Sequence, residues 1–136
     1  MGTLNASLTL NSPDVLSSTV SIGVGISVEA DSGHINRSKV AATSSGGSGV
    51  LTVYKASDKI DTAYIYVKNM SPIKEEYVFV YADTATDDPE ILKLGGNEFA
   101  FMPIKNDITL KAYGTVVDQI IEYGVFGLDS SSVTLS

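Results

Sequence analysis

The segment Val20–Val28 reads VSIGVGISV and alternates without a fault. Val20, Ile22, Val24, Ile26 and Val28 fall on one side, and Ser21, Gly23, Gly25 and Ser27 on the other. The segment Ala63–Asn69, AYIYVKN, alternates as cleanly: Ala63, Ile65 and Val67 against Tyr64, Tyr66 and Lys68. A period of two belongs to a strand, because successive side chains point to opposite faces; a helix would need a period near 3.6. The two segments differ in what lies opposite the aliphatic row. In the first it is small and carries glycine, which implies either close approach of another backbone or an open face of small residues. In the second it is aromatic and ends in a charge.

Shorter runs of the same kind fill the rest of the chain. Strands are expected at Thr3–Leu10, Arg37–Ala42, Val50–Tyr54, Glu76–Tyr81, Ile91–Leu94, Asn97–Met102, Ile108–Ala112 and Val116–Tyr123. Turn residues separate them: Asn11–Asp14, Asp31–His34, Lys55–Asp58 and Gly95–Gly96. Pro103 is expected to end its strand, since proline cannot donate to a ladder. Eight to ten short strands with no helical pattern between them predict an all-β chain, an antiparallel β-sandwich or jelly-roll-like fold. At 136 residues it is read as one domain, 1–136. Ser/Thr-rich terminal arms are expected at about 1–11 and 129–136, and a flexible loop at 43–49, TSSGGSG. Either arm could add a strand to a neighbour's sheet edge.

Charge and composition exclude several functions. The formal net charge is −7, and the nine basic residues are scattered, with Arg37 the one arginine. Nucleic acid and anionic membranes both call for clustered basic side chains, so neither is an expected partner. No apolar run approaches the ~20 residues that span a bilayer, and no secretory signal is visible. Cysteine is absent, which removes disulfides, thiolate metal sites and cysteine nucleophiles.

No catalytic motif emerges. His34 is the one histidine and lies in a polar turn, where a general base would lack a positioned partner. Glu75, Glu76, Glu98 and Glu122 could in principle supply a carboxylate pair, but nothing in the sequence brings two of them together. Gly95-Gly-Asn97 lacks the lysine and following helix of a phosphate loop. The stretch Asp83–Glu90 gathers four carboxylates and reads as a solvated acidic hairpin tip. Were calcium to bind, Asp83, Asp87 and Asp88 would be its first ligands. The chain is therefore read as a non-enzyme with no metal site and no cofactor.

Three pieces of the second half carry a resemblance: Tyr64-Ile-Tyr-Val-Lys-Asn69, Leu94-Gly-Gly-Asn-Glu-Phe-Ala-Phe-Met-Pro103 and Ile121-Glu-Tyr-Gly124. Residues 61–127 resemble small virion structural proteins of tailed bacteriophages, including marine and cyanobacterial ones. In those a strand ending in Lys-Asn precedes a Leu-Gly-Glu-Phe-Ala-Phe-x-Pro hairpin and a closing Glu-Tyr-Gly strand; here Asn97 interrupts the Gly-Glu junction. The resemblance implies a capsid decoration (cement) protein on the outside of the head shell. Its partner would be the major capsid protein and its location the capsid surface of the virion, after synthesis in the host cytoplasm. A homo-oligomer is expected, with a trimer favoured by three-fold sites between capsomers. The alternatives are a receptor- or glycan-binding module of a tail fibre, or a tail or neck connector subunit.

Several strands have apolar or aromatic residues on both faces, which a sheet facing water on one side should not show. The excess implies a covered second surface. Tyr64 and Tyr66, with Tyr77 and Tyr81, are expected to line it. Leu8, Leu10, Val133 and Leu135 are the expected contacts from the terminal arms.

Overall fold

The computed structural model describes residues 2–12, 20–30, 35–84 and 87–129. The Pro13–Asp14 turn, the Asp31–His34 turn with His34, and the C-terminal Val133 and Leu135 lie outside the described residues. All regular structure among the described residues is strand: β1 (Gly2–Ser12), β2 (Val20–Ala30), β3 (Ile35–Val40), β4 (Leu51–Tyr54), β5 (Thr62–Asn69), β6 (Val78–Asp83), β7 (Glu90–Leu94), β8 (Phe99–Lys105), β9 (Thr109–Gly114) and β10 (Gln119–Phe126). Each coincides with an expected run. Pro103 does not end β8, which continues to Lys105. β8 is the last strand of its sheet, where a residue without an N–H leaves no neighbour's bond unmade.

Eight strands form two four-stranded antiparallel sheets, ordered β3-β10-β5-β8 and β4-β9-β6-β7. The pairings β3 with β10, β4 with β9, β5 with β8 and β6 with β7 nest inside one another. A chain doubled back on itself and then wrapped has this pairing, and it is the strand order of a jelly roll. Two further ladders, β10 with β5 and β6 with β9, close each sheet.

One face of each inner strand fills the space between the sheets. Ala63, Ile65 and Val67 from β5, Val78, Val80 and Ala82 from β6, Leu110 and Ala112 from β9 and Ile121 from β10 belong to one buried cluster. Stacked sheets sit about 10 Å apart, so this interior is one side-chain layer pair thick. Polar groups that enter it are satisfied. Fully buried Asn69 donates from Nδ2 to the carbonyls of Glu76 (2.7 Å) and Leu94 (2.9 Å), and its Oδ1 accepts the Ser71 N–H (3.0 Å). The side chain thus ties the end of β5 to the 70–77 loop and to β7. The same loop presses on the β7–β8 turn, where a Cβ on Gly96 would lie 2.4 Å from the Ile73 carbonyl oxygen. Asn97 follows with φ of 66°, a left-handed value that asparagine tolerates. At the other end, buried Lys59 pairs with Asp129 beside a backbone bond from Ile60 N–H to Leu128 O (2.9 Å).

The first two strands stand apart from this plan. Among the described residues β1 and β2 pair only with each other, as an antiparallel ribbon in register from Gly2↔Ala30 to Ser12↔Val20. The expected N-terminal arm is therefore one strand of this ribbon. The two glycines of β2 differ: a Cβ on Gly23 would meet nothing within 4 Å, whereas one on Gly25 would lie 3.3 Å from the Ala6 carbonyl oxygen of the paired strand. The 43–49 segment is built of turns, with Gly46 and Gly49 at φ of 74° and 78°. It docks on the sandwich through the Gly46 N–H, which donates to the Tyr81 hydroxyl at 3.1 Å.

Asn69→Ala removes three hydrogen bonds, two buried and one part-buried, at about 1 kcal/mol each. The variant should lose about 3 kcal/mol of stability, read as a lower urea midpoint with an unchanged slope. A loss under about 1 kcal/mol would show that the loop is held by other contacts.

Candidate interaction surface

The registers of the first sheet decide what its outer face presents. Pairing places Arg37 opposite Glu122 and Glu122 opposite Lys68. Tyr64 lies opposite Pro103, Tyr66 opposite Phe101 and Lys68 opposite Phe99. Tyr64 and Phe101 stack diagonally, with ring centroids 6.3 Å apart and planes 16° from parallel. Tyr66 donates from its hydroxyl to Glu122 Oε1 (2.8 Å), and Arg37 Nε donates to Glu122 Oε2 (3.0 Å). The result is an aromatic band on β5 and β8, bordered by a carboxylate held between a phenol and a guanidinium. Phe99 at the margin is 59 % exposed.

The electrostatics follow from this clamp. The Tyr66 and Arg37 hydrogen bonds hold the Glu122 carboxyl below the usual carboxylate range. Burial, and then the hydrogen bond to Glu122, push the Tyr66 phenol up to about 12. The fold favours protonated Tyr66, so this contribution is present below pH ~10, the ordinary tyrosine value, and is lost between there and about 12. The fold also favours ionised Glu122. That contribution is present above pH ~4.3, the ordinary glutamate value, and is lost as the pH falls through the depressed value in the folded protein.

The second sheet has a separate outer face. Phe79 stacks on Tyr113 at 5.2 Å, Tyr81 tilts against Tyr113 at 6.0 Å, and Lys93 sits over the Tyr77 ring at 4.3 Å. Tyr113 donates its hydroxyl to Glu90. Tyr81 is 1 % exposed, because the 43–49 turns cover it.

The four tyrosines expected on one surface are therefore split. Tyr64 and Tyr66 lie on one outer face of the sandwich, and Tyr77 and Tyr81 on the opposite one. Two strands of equal alternation can end in different sheets, and alternation does not say which. Tyr81 is also corrected from a contact residue to a buried one. Leu8 and Leu10 are exposed, as the arm reading required, but on a paired strand.

The acidic loop brings Asp83 and Asp88 together beside Lys111 rather than gathering all its carboxylates. Register places Lys111 opposite Tyr81, and its Nζ reaches Asp83 Oδ2 at 2.8 Å. That hydrogen bond leads the lowering of the Asp83 pKa. Asp88 lies against the Gly46 turn, while the Asp87 N–H donates to Thr84 Oγ1 (3.0 Å). Among the described residues no three His, Asp or Glu side chains converge to hold a metal ion. Three of the glutamates considered for catalysis have structural bonds: Glu76 accepts from the Ser71 hydroxyl, Glu98 from the Gly95 N–H, and Glu122 from Tyr66 and Arg37.

The feature that sequence reasoning missed is the ribbon as a whole. Of the eleven large hydrophobic residues exposed among the described residues, five belong to it: Leu8, Leu10, Ile22, Val24 and Ile26. Across from them an open cleft of about 580 Å³ has Leu92, Phe99, Phe101, Met102 and Pro103 as its other wall. The signal was present in the alternation of Val20–Val28, of which only the small Ser/Gly face was interpreted from sequence.

No family model matches the chain, and no curated protein matches it. Among solved structures it is similar to a chain from Bacillus endospore appendages, described as a novel family of disulfide-linked pili. The identity is 11 % and the TM-score 0.48, over 72 % of this chain and 87 % of that one.

Glu122→Gln should bring the Tyr66 ionisation down toward the ordinary ~10, followed by the NMR shift of the Tyr66 ring carbon bearing the hydroxyl. An ionisation that stays near about 12 would show that burial alone holds the proton.

Proposed function

We propose that the chain is a structural subunit of a phage particle, a decoration protein that stabilises the head shell through contacts with the major capsid protein. The observation that carries this reading is surplus apolar surface. Among the described residues, a jelly roll with a filled interior still exposes eleven large hydrophobic side chains, five of them on one face of the ribbon. Contiguous exposed apolar surface marks an interaction site in a folded protein. The resemblance of residues 61–127 to phage virion proteins supplies the setting. Attachment needs no chemistry in this reading: apolar and aromatic surface is buried, and the Arg37–Glu122–Tyr66 clamp sets the polar border that orients the contact.

A second reading is favoured by the Tyr64–Phe101 stack beside Glu122 and Arg37. Aromatic rings next to fixed polar groups can hold a sugar ring, so a glycan-binding module of a tail fibre is the alternative.

Mixed with phage head shells assembled without accessory subunits, the protein should sediment with them and raise their thermal disruption temperature. Absence from the pellet together with binding on a glycan array, lost in Tyr64→Ala, would replace the first reading with the second.

A further inference from the structure

The ribbon is the part of the molecule that its own sandwich does not finish. Its register sets Leu4, Ala6, Leu8 and Leu10 opposite Val28, Ile26, Val24 and Ile22. Eight aliphatic side chains thus share one face with no charge among them. The other face carries Thr3, Asn5, Ser7, Thr9 and Asn11 against Glu29, Ser27, Gly25, Gly23 and Ser21. Cover stops partway along the apolar face. Val28 is buried and Leu4 and Ala6 are half-buried, while Leu8, Leu10, Ile22, Val24 and Ile26 are 42–57 % exposed. A two-stranded ribbon is marginal in water unless its apolar face packs against something.

The geometry points to the same face of a second copy of this chain as the missing surface. The two ribbons would pack face to face about a two-fold axis as a small two-layer sandwich. Three features select this occupant. First, the face is its own complement in charge. Whole copies carry −7 each and repel, but the ribbon's one charged described residue, Glu29, lies on the opposite face, so this approach brings no like charges into contact. Second, it is its own complement in shape. One strand contributes a row of leucine and alanine and the other a row of valine and isoleucine, so a two-fold rotation sets unlike rows against each other, as aligned sheets interdigitate. Third, the extent fits a weak, reversible contact. The uncovered length, about six residues of each strand at ~3.3 Å per residue and two strands wide, gives roughly 200 Å² per copy. The aromatic wall of the adjoining cleft enlarges it toward the low end of transient interfaces. Among the described residues the remaining exposed aliphatics offer no comparable row: Ile35, Ile73, Ile91, Val117 and Ile120 sit one each on β3, the 70–77 loop, β7, the β9–β10 turn and β10.

This deepens the assembly reading by naming its self-contact, and it substitutes a two-fold contact for the trimer expected from capsid symmetry. Sedimentation equilibrium of the intact protein should show a reversible dimer. The double variant Leu8→Asp/Val24→Asp should raise its dissociation constant at least about a hundredfold, with the sandwich's thermal unfolding unchanged. Because the chain has no cysteine, a second test is clean. A mixture of Leu8→Cys and Val24→Cys chains should form disulfide-linked dimers under mild oxidation, and Thr9→Cys on the polar face should not. A protein monomeric at its highest soluble concentration overturns the inference. So does a dimer or trimer indifferent to the two aspartates, or a Thr9→Cys chain that links as readily. Failure here and failure of the shell reading separate cleanly. A monomer whose double variant loses head-shell binding sinks the self-contact and keeps the shell reading; a ribbon dimer that ignores shells does the reverse.

Discussion

The layer of side chains between the two sheets sets the terms for everything else in this molecule. Ile65 and Val67 of β5 meet the space filled from the other side by Val78, Val80, Leu110 and Ala112, and these side chains are almost wholly hidden from water. That layer accepts one face of each strand. The chain nevertheless supplies strands with two nonpolar faces, so every second face has to be dealt with outside the core.

Two physical solutions appear, one on each sheet. On the first sheet, Tyr64 and Phe101 cover each other, and the Tyr66 hydroxyl finds a carboxylate fixed by an arginine. An amphipathic side chain can thus lie on a surface with its ring packed and its polar end bonded. On the second sheet, Lys93 lies over Tyr77, and the Gly46 turn closes over Tyr81. A left-handed backbone at Gly46 and Gly49 lets those turns fold tightly enough to reach the hydroxyl. The ribbon β1–β2 has neither solution over most of its length, and its aliphatic row lacks any polar group that water could satisfy. Its outer five residues are therefore where the molecule differs most from a self-sufficient domain.

The wrapped connectivity has a folding consequence. β3 pairs with β10, joining residues near 37 to residues near 122, and the other nested pairs close within that span. Such non-local pairing folds slowly, because loop-closure entropy is lost before contacts form. The ribbon joins consecutive strands and is free of that constraint, but as a two-stranded unit it stays marginal until its apolar face is covered.

What the sequence by itself determined is the strand content and, within each strand, the two faces. The period of two is a local property of the backbone, so Ala63, Ile65 and Val67 were legible as core and Tyr64 and Tyr66 as their opposite before any fold was known. It could not assign strands to sheets, because pairing partners lie far apart along the chain and a register is a relation between two strands. The tertiary structure alone put Tyr77 and Tyr81 on the far side from Tyr64 and Tyr66 and turned Asp83 toward Lys111. It also made Val20–Val28, the cleanest pattern in the chain, the row left largely outside. Alternation reports that one face of a strand is nonpolar; whether that face meets the interior, another molecule or water depends on where the strand comes to rest.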